Sequence, residues 1–60
     1  MGPDSYTTKE SNLIEAAQGQ SHYRTTIYDK DNPSDSANGL GRTPQEAREN
    51  AERAWGDKHL

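Results

Sequence analysis

The stretch GLGRTPQEARENAERAWG, residues Gly39 to Gly56, decides the fold, because it spells a glycine-bearing approach followed by a helix with both ends marked. Thr43 is a good N-cap, Pro44 sits at the first helical position, and Glu46 completes a Thr-x-x-Glu capping box. Gly56, just past Trp55, suits the left-handed residue that often closes a helix. Ala47, Ala51, Ala54 and Trp55 recur at helical spacing and make one narrow apolar stripe. The opposite face pairs Arg48 with Glu52 and Glu49 with Arg53, each four residues apart.

Upstream of this helix, Ser21 to Asp29 (SHYRTTIYD) alternates cleanly and is rich in Tyr, Thr and Ile, as a strand is. Tyr23, Thr25 and Ile27 then share the face toward the helix, while His22, Arg24, Thr26 and Tyr28 face the other way. Lys30 to Ser36 is a polar turn around Asn32-Pro33, and Ala37 to Arg42 is a short returning strand with Leu40 as its core contact. Leu13 to Gln18 reads as the first strand; a short helix capped by Asn12 and Glu15 is the alternative. Residues 1–12 read as a loose polar tail and 57–60 as a second tail. The expected fold is α+β, with three antiparallel strands and one C-terminal helix on one face. This single β-β-β-α domain spans 13–56 and is anchored by Ile27, Leu40, Thr43 and Trp55.

Sixty residues with no cysteine and only 27% hydrophobic residues lie near the lower limit for a chain that folds without staples. Six of the apolar residues are Ala, and neither Val nor Phe occurs. Burial against a second copy or a partner is therefore attractive. Ten acidic against seven basic residues leave a net charge of −3, the wrong sign for a general nucleic-acid footprint or for an anionic membrane surface. No apolar run approaches a signal-peptide core or a membrane span, so a cytoplasmic location is expected.

No catalytic, cofactor or metal motif is recognisable. Asp29, Asp31 and Asp35 are spaced somewhat like calcium ligands, but Pro33 and Ser34 stand where such a loop needs a ligand and a sharp-turn glycine. His22 and His59 are too isolated to make a metal pair. Tyr28, Arg24 and His22 put an aromatic ring and hydrogen-bond donors on the sheet face away from the helix, a combination enriched at protein interfaces.

The pattern from Gly39 to Ala54, with Gly19-Gln20-Ser21-His22 before it, resembles a reduced double-stranded-RNA-binding domain over residues 13–56. That resemblance implies a histidine loop entering a minor groove and cations at the last helix holding phosphates, here His22, Arg42 and Arg48. Pro44 and Gln45 stand where the family carries lysines, and the tail offers no counterpart of its first helix. Gly41, Thr43, Glu46, Ala47, Asn50 and Ala51 also resemble the sheet-helix module of HicB-type antitoxins, which implies docking on a partner enzyme. The leading expectation is a non-enzymatic module that acts by protein contact, self-association included, through His22, Arg24, Thr26 and Tyr28. Weak duplex-RNA binding and antitoxin-like inhibition are the alternatives.

Overall fold

The computed structural model describes residues 3–60 and runs β1 (Asp4–Glu10), α1 (Leu13–Ala17), β2 (His22–Tyr28), β3 (Ser36–Gly41) and α2 (Pro44–Lys58). The strands form one antiparallel sheet in the order β1-β2-β3, and α2 lies over β3 and β2, scarcely reaching β1. The α+β class with a three-stranded antiparallel sheet and a C-terminal helix is as expected.

Its first strand is not where the sequence reading placed it. Asp4 to Glu10, expected as tail, pairs residue for residue with β2, from Asp4 opposite Tyr28 to Glu10 opposite His22. Met1 and Gly2, part of that expected tail, lie outside the described residues. Leu13 to Ala17, expected as strand, is helical. Asn12 accepts from the Glu15 amide at 2.8 Å while the Glu15 carboxylate accepts from the Asn12 amide at 3.1 Å. This reciprocal cap satisfies two otherwise orphaned amides, enough to hold a single turn. Gly19, at φ 71°, makes the left-handed exit, a backbone shape that costs glycine little.

Helix α2 starts as read, with the Glu46 amide donating to Thr43 Oγ1 at 3.1 Å, although the return half of the expected capping box is not made. It does not stop at Gly56. The helix continues through Lys58 and is capped by His59, so half of the expected 57–60 tail belongs to the helix. Gly56 is an ordinary helical residue there, without positive φ. Among the described residues, no ion pair closes along the outer face of α2, so Arg48–Glu52 and Glu49–Arg53 stay apart.

The core is built on absence of side chain. Ala47 and Ala51 are fully buried against β3, whose Gly39 and Gly41 turn toward the helix. A methyl group at Gly39 would overlap the backbone nitrogen of Ala51, and one at Gly41 would sit 2.6 Å from that of Ala47. Strand alternation then sends Leu40 to the other face, where it is 51% exposed. Leu40 is therefore not the core contact expected of it, because glycine holds both neighbouring inward positions. Ile27 is buried as expected, Trp55 is half-buried, and Thr25 shares a 2.8 Å hydroxyl hydrogen bond with Thr7 directly opposite.

Two glycine substitutions separate close approach from mere flexibility. Gly39→Ala forces α2 off the sheet and should cost more than the about 1–3 kcal/mol usual for overpacking. That is comparable with the whole stability of about 3–9 kcal/mol expected of a chain this long. Gly56→Ala meets no atom within 4 Å and should stabilise by about 0.5–1 kcal/mol. Denaturant titrations in which both variants shift in the same direction would overturn this placement of α2.

Candidate interaction surface

The sheet face away from α2 is uncovered and varies in character from end to end. At one end the Tyr6 and Tyr28 rings meet with centroids 6.0 Å apart, tilted at 55°. Tyr28 Oη donates to Asp4 Oδ2 at 3.3 Å, and the Asp4 charge, with a smaller effect of desolvation, raises the phenol pKa above its ordinary value. In the centre Thr26 Oγ1 donates to Asn38 Oδ1 at 2.7 Å across β2 and β3. A shallow hollow of about 260 Å³ at the tyrosine end is framed by Tyr6, Thr26, Tyr28, Pro33 and Ser36. Leu40, opposite Arg24, continues the exposed apolar area toward the other end.

That other end is charged and internally matched. His22 Nδ1 lies 2.7 Å from Glu15 Oε1, and its Nε2 lies 3.4 Å from Glu10 Oε1. Arg24 Nε is 3.2 Å from the same Glu10 oxygen but is not aligned for a hydrogen bond. Glu15 has its pKa lowered, first by the Asn12 amide and then by His22. The four residues expected to form an interaction face, His22, Arg24, Thr26 and Tyr28, thus do share one face, joined by Tyr6, Glu10 and Leu40. In the sequence Tyr6 and Glu10 are hidden because polarity masks the Thr-rich alternation of DSYTTKE, and Leu40 is hidden because a leucine between glycines reads as core.

The residues that the RNA-binding resemblance selects are not gathered in one place. His22 and Arg42 line a cleft of about 350 Å³ together with Glu15 and Glu46, whereas Arg48 borders a separate trough with Glu49 and Glu52. Each cation accordingly shares its ground with carboxylates.

A second polar cluster joins the end of α2 to the β2–β3 turn. Lys58 Nζ is 2.7 Å from Asp35 Oδ1 and donates to the Ser36 carbonyl at 2.8 Å. His59 Nδ1 donates to the Trp55 carbonyl at 2.8 Å while Nε2 approaches Asp35 Oδ2 at 3.0 Å, with its ring centroid 4.1 Å from that of Trp55. With an acceptor on each nitrogen, the doubly protonated ring is favoured. Asp35 is thereby occupied, and Asp29 Oδ1 accepts from the Asp31 amide at 2.8 Å, so these acids serve the turn. Among the described residues, no group of three or more His, Cys, Asp or Glu side chains is arranged to hold a metal ion. No helix among them is long and apolar enough to cross a membrane.

This clasp sets a pH window. The Trp55 carbonyl, and then Asp35, raise the His59 pKa, so its contribution to stability is full below the ordinary histidine value of about 6.5 and fades as pH climbs through the raised one. Lys58, and then His59, lower the Asp35 pKa, so its contribution is present above about 3.9 and fades as pH falls through the lowered one. The clasp should be complete between about pH 4 and 6.5. An NMR titration should place the His59 midpoint above about 6.5, and Asp35→Asn should bring it back toward that value. A midpoint that Asp35→Asn leaves unmoved would remove Asp35 from the account.

No protein-family model matches this chain, and no curated protein or solved structure matches it either.

Proposed function

We propose that this chain is a small non-enzymatic binding module acting through protein–protein contact on the sheet face that α2 leaves open. The carrying observation is that this face displays Tyr6 at 55% and Leu40 at 51% exposure, beside the half-exposed Tyr28. Tyrosine is enriched in interface cores, and an adaptable rim of Thr, Asn and Arg suits protein contact. The buried side chains supply little driving force of their own: Ile27, Thr25, Ala47 and Ala51 are small or few. Covering the open face would add the apolar burial that one helix cannot.

Duplex RNA fits this surface less well. Binding of that kind depends on releasing counterions from neutralised phosphates. Here Glu15 and Glu10 hold His22, Glu46 stands in the cleft beside Arg42, and Arg48 lies elsewhere. An inhibitor that docks on an enzyme, as the antitoxin resemblance implies, is one form of the protein-contact reading, and the net charge of −3 favours a basic partner.

A photoreactive phenylalanine analogue at Leu40 should give discrete protein adducts in the producing cell. The same probe at Arg53, exposed on α2, should give none. Leu40→Ser should leave stability within about 0.5 kcal/mol, as for a surface position. RNA adducts at Leu40 would overturn the reading. So would sub-micromolar duplex-RNA affinity at about 0.15 M salt that a folded Arg42→Ala/Arg48→Ala variant loses.

A further inference from the structure

The two edges of the sheet are not equivalent. On β3 the outward carbonyls of Ser36 and Leu40 are already taken: Lys58 Nζ donates to the first at 2.8 Å and Asn50 Nδ2 to the second at 2.6 Å. Even-numbered residues of β3 thus point their backbone groups away from the sheet, so Ala37, Gly39 and Gly41 bond to Ile27, Thr25 and Tyr23 of β2. Alternation then turns the backbone groups of Arg24, Thr26 and Tyr28 in β2 toward Thr8, Tyr6 and Asp4 of β1. What remains outward on β1 is the backbone of Ser5, Thr7 and Lys9. The Ser5 amide agrees, since it donates to Asp4 Oδ1 at 2.8 Å, its own neighbour's side chain, instead of to β2.

The β1 edge is therefore a ready template. It has seven residues in unbroken register, all exposed except Glu10, with no proline, glycine or bulge among them. Natural sheets usually block such an edge, as β3 is blocked here. We infer that β1 pairs antiparallel with β1 of a second copy, with Tyr6 facing Tyr6 of that copy across a two-fold axis. This rests on the protein-contact reading and adds to it a contact of stated chemistry, a second copy of this chain at the edge beside the open face.

Symmetry and charge select the register. A two-fold axis that pairs strands antiparallel keeps the same sheet face up in both copies, so the residues opposite each other differ by an even number. Centring the axis on Thr7 would set Asp4 against the other copy's Glu10, twice, and like charges directly opposite are unfavourable. Centring it on Thr8 would set each Tyr6 against a Glu10 carboxylate and separate the two tyrosine pairs. Centring it on Tyr6 sets Asp4 against a Thr8 hydroxyl and Ser5 against Thr7, pairs that hydrogen-bond across strands. It also lengthens the aromatic row already begun by Tyr28 and Tyr6. Ser5 and Thr7, whose backbones point outward, then exchange the ladder hydrogen bonds, the exposed Ser5 amide trading its local acceptor Asp4 Oδ1 for a carbonyl of the second copy. Because β1 is the one open edge among the described residues, the assembly closes as a pair. Five residues from each copy bury less than the about 1,200 Å² of a stable specific interface, so the pair dissociates on dilution.

The absence of cysteine makes the register directly readable. Tyr6→Cys, Thr7→Cys and Thr8→Cys, each checked for native amide dispersion when reduced, are oxidised mildly at a concentration where the unmodified chain sediments partly as a dimer. Tyr6→Cys should form the covalent dimer at least tenfold faster than Thr8→Cys, whose partner sulfur would lie roughly 13 Å further along the strands. Fastest linkage through Thr7→Cys or Thr8→Cys, equal rates for all three, or a chain that stays monomeric to millimolar concentration would overturn the proposal. A monomer that still gives protein adducts from Leu40 would defeat the pairing alone and leave the protein-contact reading standing.

Discussion

The contact between the α2 backbone and Gly39 is the constraint from which the rest of the molecule follows. Helix and strand approach so closely that neither side tolerates a methyl group more than Ala47 and Ala51 provide. Close approach lets a chain with few large apolar residues exclude water with small ones, since dispersion contacts depend on proximity as well as on size. It also fixes where α2 lies, over β3 and β2, and hence what it leaves bare. The open face and the open edge are both consequences of a helix seated at one side of a narrow sheet.

Much of this was legible in residues 21–58 and little of it in residues 3–20. Thr43-Pro44, the alanine spacing and the alternation of SHYRTTIYD carry local signals strong enough to survive translation into structure. Besides Leu40, two signals mislead for identifiable reasons. Gly56 resembles a helix end, yet Lys58 and His59 reach back to Asp35, a contact across 24 positions in the case of His59, and hold the last turn in place. Leu13-Ile14 looks like strand because it is apolar and contains a β-branched residue, yet the Asn12–Glu15 box decides, and both side chains remain exposed. With that segment helical, pairing with β2 falls to DSYTTKE, whose β-propensity lies in Tyr and Thr and not in aliphatic residues.

For the surface, the sequence disclosed the β2 half and missed the rest, because cross-strand neighbours are set by register. Arg24 and His22 looked like free donors; opposite His22 stands Glu10, which only pairing brings within reach of both. A charge that is an asset along the chain can be neutralised in place. The same holds for the acidic turn, whose Asp35 is bound to the helix end. Asp4, Glu10, Glu15 and Asp35 act as ties between elements, so the net negative charge says little about where the negative potential is exposed.

The donors from α2 onto the outer carbonyls of β3 make the helix a guard of the sheet as well as a cover. Asn50 and Lys58 convert an extendable margin into a finished one. With one margin available among the described residues, such a molecule would act as a chain terminator, adding once and then stopping. Opening the second margin takes the loss of both ties, Lys58 from Ser36 and Asn50 from Leu40, and only then would the molecule have the two-ended valence that linear polymerisation requires. The contacts of α2 on β3 would then serve to keep assembly finite as well as to hold the fold.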